Sequence, residues 1–373
     1  MKLTEFLLPP TESARRRGPE HQIVMSSRVR LARNVKGAPF PGWAKKPDRV
    51  RVYELLRPAV ESLSAMAGAF SESMENLSPL EKQLLVERHL ISREHAAKGA
   101  GSGVVFTRDE SICVMINEED HLRMQALRPG FQLKQVWLTI DKLDSELEKK
   151  VEYAFSPRLG YLTACPTNVG TGIRVSAMLH LPGLVLAEQI NAVIQSVGRL
   201  GLAVRGLYGE GTEALGNVFQ VSNQMTLGES ELTIVERLEK VVTQIIESEL
   251  NAREMLLEKS PKMVYNHVGR AYGILANAHS ISSKETLNLL SLLRLGLDLG
   301  LFPGANPALT DELFILIQPA HLQLQYGENL KPEDRDVLRA DLLRERLANL
   351  SRPVPRPSGP GPETPGMDKK QEL

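Results

Sequence analysis

Cysteine is almost missing from this chain. Two are present in 373 residues, Cys113 and Cys165, and neither belongs to a CxxC pair. That scarcity excludes a disulfide framework and a structural zinc site, and it points to a reducing, cytoplasmic compartment. Excess charge of either sign is missing too, since 45 Lys and Arg balance 45 Asp and Glu. A neutral chain is not held to nucleic acid by bulk electrostatics, so partners must be recognised by local groups. No apolar run approaches the ~18 residues that cross a bilayer, and the N-terminal MKLTEFLLPPTESARRRG has too short an apolar core for a signal peptide. The expectation is a cytoplasmic protein with no membrane partner and no direct nucleic-acid partner. Also lacking are a GxxxxGK[ST] loop and the HRDxxxxN and DFG strings. Nucleotide binding in the manner of P-loop enzymes or ordinary protein kinases is thereby excluded.

What is present divides along the chain. Residues 1–21 contain proline and the run Arg15-Arg16-Arg17, and are expected to form a flexible lead-in. Residues 22–250 mix strand and helix signals in an order that implies an α+β domain rather than a doubly wound one. Ser78-Pro79-Leu80-Glu81 is a capping box with proline at the first helical position. Gly103 to Thr107 and Ile112 to Asn117 read as a hairpin. A helical stripe runs through Leu133, Val136, Trp137, Ile140, Leu143, Leu147 and Val151, and a second helix is expected from Leu184 to Leu200. Residues 251–350 are expected to form an all-helical C-terminal domain. Helix-periodic segments run from Leu232 to Leu257, Lys262 to Ala278, Lys284 to Leu299 and Pro332 to Leu350. Residues 351–373 hold six of the 23 prolines and too few large apolar residues to order themselves.

Four segments carry chemistry. Asn117-Glu118-Glu119-Asp120-His121-Leu122-Arg123 sets three carboxylates before a histidine and an arginine, directly after the apolar Ile112 to Ile116. On a strand, Glu119, His121 and Arg123 would share a face while Glu118 and Asp120 point elsewhere. Taken alone, the run fits a solvated turn equally well. Cys165 to Arg174 (CPTNVGTGIR) has the glycines of a phosphate-approach loop, at Gly170 and Gly172. Arg205 to Thr212 (RGLYGEGT) is a glycine loop framing one carboxylate, Glu210. Ser26 to Arg33 alternates, so that Arg28 and Arg30 project from one strand face. Arg28, Arg30, Arg123, Arg174 and Arg205 together could bracket the phosphates of ATP, because a planar five-donor guanidinium grips phosphate oxygens. In-line phosphoryl transfer needs such positioning together with Mg²⁺. Glu119 and Glu210 would face a cationic acceptor group that donates forked hydrogen bonds to them, namely a guanidinium.

The strings SSRVRLAR, NEEDHLR, CPTNVGTGIR and RGLYGEGTEALGNVFQVSNQ closely resemble the phosphagen (guanidino) kinases, which phosphorylate guanidino groups from MgATP. The resemblance spans Gln22 to Leu250 and implies an antiparallel sheet flanked by helices. Within that family the chain resembles the bacterial protein-arginine kinases, which phosphorylate arginine side chains of proteins and mark them for a Clp protease. Two departures from the small-substrate enzymes point there. The segment before His21 holds no counterpart of their N-terminal helical domain, and Arg335-Asp336-Val337-Leu338-Arg339-Ala340 matches an RDxxRA signature associated with an allosteric phosphoarginine pocket.

By position, the resemblance makes Glu119 and Glu210 the catalytic carboxylates and Cys165 the reactive cysteine. It assigns ATP to Ser26, Ser27, Arg28, Val29 and Arg30, to Arg123, to Arg174, Val175, Ser176, Ala177 and Met178, and to Arg205, Gly206, Leu207, Tyr208, Gly209 and Glu210. His89 and His180 resemble nucleotide-site histidines, and Glu118 a group reaching Mg²⁺ through water, with no direct protein ligand to the metal. Arg335, Asp336, Arg339 and Ala340 would form the phosphoarginine pocket. Protein substrates with exposed arginine, Clp machinery, an activator protein and a homo-oligomer are implied as partners. Without the resemblance, Cys165 reads as a small buried hydrophobe, and Arg335 and Arg339 as surface ion pairs of little weight. Two other functions remain open: a kinase for free arginine or another small guanidine, and a catalytically weak phosphoarginine-binding adaptor.

Overall fold

The computed structural model describes residues 3–7, 9, 17–206, 214–327 and 329–355. Among them, eight strands form one sheet in which every neighbouring pair is antiparallel. They are β1 (Val24–Arg33), β2 (Phe70–Ser73), β3 (Gly103–Phe106), β4 (Ile112–Ile116), β5 (Leu122–Pro129), β8 (Ile173–His180), β9 (Leu202–Gly206) and β10 (Val218–Asn223). Their order is β2-β3-β4-β5-β1-β8-β10-β9, and β6 (Phe155–Ser156) pairs with β7 (Gly160–Tyr161) apart from it. The expected α+β architecture is therefore present.

Alternation explains why β1 lies at the centre. Val29 and Leu31 are buried in the main core while Arg28 and Arg30 occupy the opposite face. A register shift between Val24 and Ser26 resets the pleat, so that Val24 is also buried. The helix Leu133–Glu148 covers the core face with Leu133, Val136, Ile140, Leu143 and Leu147, following its i, i+3, i+4, i+7 spacing. The capping box at Ser78 forms as expected, with Ser78 Oγ accepting from Glu81 N at 3.2 Å and Glu81 accepting from Ser78 N at 2.8 Å. The helix expected from Leu184 to Leu200 is instead two helices, Pro182–Leu186 and Ile190–Arg199. Glu188 lies between them at φ 58°, and Gln189 N bonds back to Leu184 O at 2.9 Å, a left-handed stop that apolar spacing does not reveal.

The lead-in, expected to be loose, is docked where it is described. Leu3 and Phe6 are buried, and the Phe6 ring lies 5.6 Å from Phe70 and 5.5 Å from Phe106. Two apolar residues one helical turn apart were enough to anchor it. The long helix Glu231–Lys259, capped by Ser230, joins the two halves. Residues up to Ala252 belong to the sheet's core, and Leu256 begins a second core shared by the helices Pro261–Asn277, Ser283–Asp298 and Pro332–Leu347. Two further helices, Ala308–Leu316 and Pro319–Tyr326, lie in the part of the expected helical domain where no individual helix was marked out. They are too short for periodicity to stand out. Of the tail, residues 351–355 are described, and Val354 N donates to Leu301 O at 2.8 Å.

One buried ion pair ties helix to sheet. Arg33, 1% exposed, donates to Asp144 at 3.0 and 2.6 Å and to the carbonyls of Ala32 and Thr171. Its guanidinium carbon lies 3.6 Å from the Tyr161 ring centroid. Burial opposes the charge, but Asp144 and Glu231 outweigh it and raise the pKa of Arg33. Asp144→Ala leaves that guanidinium buried without its carboxylate, and should lower unfolding free energy by about 3–5 kcal/mol in urea titration.

Candidate active site

The acidic run is a turn rather than a strand. Asn117 adopts φ 57°, its N bonds to His121 O at 2.9 Å, and Glu118 N bonds to Asp120 O at 3.1 Å. The expected sharing of one face by Glu119, His121 and Arg123 is thereby corrected. Glu118, Glu119 and Arg123 reach one cavity, whereas Asp120 and His121 turn inward. Reversal within the five residues between β4 and β5 replaces the two-residue alternation of a strand.

The inward pair builds the support. Asp120 Oδ1 accepts from Asn34 Nδ2 and from Ala164 N, each at 2.6 Å, which fastens the Cys165 segment to the turn. His121 Nδ1 accepts from Val35 N at 3.0 Å and its Nε2 donates to Pro39 O at 3.0 Å, so both ring nitrogens are engaged. Burial keeps this imidazole neutral by lowering its pKa.

The cavity measures about 930 Å³ and brings together Arg28, Arg30, Glu118, Glu119, Arg123, Cys165, Arg174 and Arg205. Those residues come from β1, β5, β8, β9 and two loops, and the register explains their meeting. Arg30 lies opposite Arg174, Arg28 opposite Ser176, and Gln220 of β10 opposite Met178 and Arg205. Arg28 donates to Gln220 Oε1 at 2.9 Å and Arg174 to Ser222 Oγ at 3.2 Å. Burial, then Arg123 and Arg174, lower the pKa of Arg28 to about 10. Burial and then Arg28, Arg123 and Arg174 press that of Arg30 well below its ordinary value, and its Nε is buried without a partner. Arg174 is lowered by burial, Arg205 and Arg123. Cations crowded out of water in this way constitute a site for a polyanion.

The carboxylates are differentiated. Glu118 Oε1 accepts from Arg123 and Ser92, both at 2.6 Å, and Oε2 from Glu119 N at 2.9 Å. Burial opposes its charge, but Arg123 and these bonds hold the carboxyl down to about 2. Glu119 is more exposed, and burial followed by Asp120 and Glu118 raises its pKa. Two adjacent carboxyls are thus set apart, Glu118 held ionised and Glu119 the more readily protonated. Cys165 Sγ lies 3.1 Å from Thr167 Oγ1 on the cavity wall.

The two glycines of this loop serve packing more than ligand approach. A Cβ on Gly170 would lie 2.6 Å from Thr226 O, and one on Gly172 2.6 Å from Ala32 O, at φ 116° and 66°. Only backbone in the left-handed region passes there.

Other assigned residues fall elsewhere. Ser27, Val29, Val175 and Ala177 are buried on the opposite strand face, so no side chain of theirs reaches the cleft. Ser27 Oγ donates to Gly130 O at 2.8 Å. Ser26, Met178 and His89 line a second cavity of about 440 Å³, and His89, at φ 59°, is lowered to about 4 by burial and Arg28. Gly206 lines the first cavity. His180 reaches neither cavity: it is fully buried, 2.8 Å from Ser291 Oγ, with its pKa held down by burial, Arg294 and Arg253. It belongs to the joint with the helical region. Leu207, Tyr208, Gly209 and Glu210 lie outside the described residues.

Arg335 and Arg339, grouped by the resemblance in one phosphoarginine pocket, lie in different surroundings. Arg339 is 1% exposed and donates to Ile317 O at 3.0 Å, Ile281 O at 2.9 Å and Asp336, and Ala340 is buried in the second core. Arg335 is half-exposed and donates to Leu330 O at 3.3 Å. Gln220 and Ser92 carried no expectation from the sequence, and Asp120 carried none beyond its place in the acidic run. Gln220 is legible from alternation in LGNVFQVSNQ, whereas Asp120 and Ser92 act across long sequence distances.

Among the described residues no cluster of three or more His, Cys, Asp or Glu side chains could hold a metal ion. A polyanion suits the arginine-lined wall. Inorganic tripolyphosphate at a hundred times its Kd should stabilise the protein by about 2.7 kcal/mol. Arg30→Met should raise the ligand-free melting temperature, since it removes a disfavoured buried charge, and should shrink the tripolyphosphate-induced increase; calorimetry reads both.

Comparison with known proteins agrees with this geometry. Residues 51–252 match the family model described as ATP:guanido phosphotransferase, C-terminal catalytic domain, and residues 261–358 match the protein-arginine kinase McsB C-terminal domain. Relatives named protein-arginine kinase include one from Halothermothrix orenii, 46% identical over 88% of this chain and 94% of its own length. Those from Moorella thermoacetica and Bacillus subtilis are 47% and 45% identical, covering 89% and 93% of this chain and 95% and 96% of theirs. Among solved structures, a lombricine kinase superposes with a TM-score of 0.55 at 25% identity, over 65% of this chain and 71% of its own. A duplicated taurocyamine kinase from Schistosoma mansoni gives 0.56 at 25%, over 84% and 41%. A cavity lined by arginines and two carboxylates, a family match over more than half the chain and relatives this similar over nearly all of it lead to one assignment: the chain belongs to the ATP:guanido phosphotransferases, in their protein-arginine kinase branch.

Proposed function

We propose that this enzyme transfers the γ-phosphoryl group of ATP to the guanidinium of arginine side chains in proteins. The observation that carries the reading is that Glu119, an exposed carboxylate, lines the same cavity as five arginines. Arg28, Arg30, Arg123, Arg174 and Arg205 hold the phosphate oxygens with planar donor pairs. Glu119 accepts forked hydrogen bonds from the incoming guanidinium, aligns one nitrogen for in-line attack and takes its proton. Glu210 is assigned as the second such carboxylate, and Cys165 as a neighbour of the guanidinium. Mg²⁺ travels with the nucleotide and neutralises charge on the phosphates. Glu118, its oxygens engaged by Arg123, Ser92 and Glu119 N, reaches that ion only through water.

Protein rather than free arginine is favoured by two features. Trp43, 92% exposed, stands at the cavity rim, where an extended polypeptide could pass, and the relatives similar over nearly the whole chain are named for protein arginine. The family resemblance further supports phosphoarginine as a mark for a Clp protease in protein quality control and stress response, an activator protein and a homo-oligomer. We assign residues 22–250 to catalysis and 251–350 to a regulatory helical domain with a phosphoarginine pocket. Arg335 is its candidate phosphate ligand; Arg339 serves as a buried strut.

Incubation with MgATP and an arginine-rich protein should yield acid-labile phosphate on arginine, and none on that residue ends the reading. Turnover of free arginine alone would instead favour the small-guanidine kinase. Glu119→Gln should lower kcat by about 10²–10⁴-fold. Because the pKa of Glu119 is raised, wild-type activity should fall on acidification already above the ordinary carboxylate range. Arg335→Ala should preserve basal turnover and abolish any response to added phosphoarginine, whereas Arg339→Ala should depress thermal stability. An unchanged phosphoarginine response in Arg335→Ala removes the pocket assignment.

A further inference from the structure

The β1–β8 ladder changes chemistry along its length. Arg30 faces Arg174, Arg28 faces Ser176, and two residues further on, about 7 Å along the strand, Ser26 faces Met178. Guanidiniums give way to a hydroxyl and a thioether as the first cavity gives way to the second. His89 marks the join, since it lines the second cavity and feels the charge of Arg28 in the first. A ligand with an anionic end on the arginines and a flat, less polar body would continue along this ladder into the second cavity.

That cavity has two sides of different origin. Ser26, His89, Pro129 and Met178 come from the sheet and its loops, whereas Leu287, Phe314 and Ile315 come from the helical region after residue 260. Polar bonds hold the two sides in register. Arg294 donates to His21 O at 2.7 Å and pairs with Asp311 at 2.8 Å, and Arg17 pairs with Asp311 at 3.0 Å. On the other flank Glu87 accepts from Ala320 N at 2.9 Å and from His321 Nδ1 at 2.9 Å, two residues before His89. Gly216 N bonds to Asn288 Oδ1 at 2.8 Å. About 440 Å³, mixed apolar walls and a few placed polar groups match the usual form of a small-molecule pocket.

We propose that the C-terminal helical region completes the nucleoside end of the ATP site, with Phe314 as the aromatic wall against which the purine lies. The inference rests on the kinase reading for the phosphate end, and assigns the helical region a direct part in nucleotide binding. Phe314 is half-buried and lines the cavity face, so its ring offers a stacking surface. Any displacement of the helix Ala308–Leu316 would then alter nucleotide affinity without touching the arginines.

Titration calorimetry on the full chain tests this with two probes, MgADP and inorganic tripolyphosphate. For Phe314→Ala, MgADP should bind about tenfold more weakly, the effect of losing one base–aromatic stack, while tripolyphosphate affinity stays unchanged. Phe314→Leu, which keeps an apolar side chain in place, should also weaken MgADP selectively. Equal MgADP affinity in wild type and both variants overturns the wall and leaves the kinase reading standing. Parallel loss of both probes overturns it too, since Phe314 would then act through the fold. Wild-type protein that binds neither probe overturns both readings.

Discussion

Mutual repulsion among the arginines of one sheet face is the constraint on which the rest depends. Arg28, Arg30 and Arg174 are drawn from neighbouring strands, removed from bulk water, and shifted toward the neutral form by burial and by each other. Such an arrangement opposes folding and survives because the opposite face of the same strands is largely apolar and buried. Val29, Leu31, Val175 and Ala177 lie under the helices Leu133–Glu148 and Glu231–Lys259. Burial at about 25 cal/mol per Å² of apolar surface offsets the electrostatic strain. The strain is also the reservoir of affinity, because an incoming polyphosphate relieves it.

Position in the site is controlled by buried polar ties rather than by the apolar core. Arg33 with Asp144 fixes the Leu133–Glu148 helix to β1 and, through Thr171 O, to the Cys165–Arg174 loop. Asp120 ties that same loop to the acidic turn. Glu249 accepts from Gly183 N at 2.8 Å and Leu184 N at 2.9 Å and pairs with Arg253, so the long connecting helix seats the short helix after β8. Each tie joins segments far apart in sequence. Directional bonds fix position; apolar contact, being non-directional, does not.

Much of the scheme was legible beforehand, for identifiable reasons. Period-two alternation in SSRVRLAR placed Arg28 and Arg30 together, and capping chemistry at Ser78 marked a helix start correctly. Errors arose where a single backbone angle decides. Asn117 turns the acidic run into a loop, and Glu188 cuts one helix in two. Both residues have φ in the left-handed region and neither is glycine; asparagine adopts that region more readily than most side chains, whereas glutamate gives no such signal. The glycines at 170 and 172 were noticed for ligand approach, although close neighbouring backbone is what requires them.

By itself the sequence determined the chemistry and the local geometry: which residues carry charge, and which faces of β1 and of the helices are apolar. These follow from side-chain identity and short periods, which are properties of neighbours in the chain. Tertiary structure alone decided that Glu119 is raised while Glu118 is held ionised, that Arg339 is a strut, that His180 lies at the joint with the helices, and that Phe314 borders the second cavity. Burial and charge proximity set those outcomes, and both depend on residues brought together from across the chain.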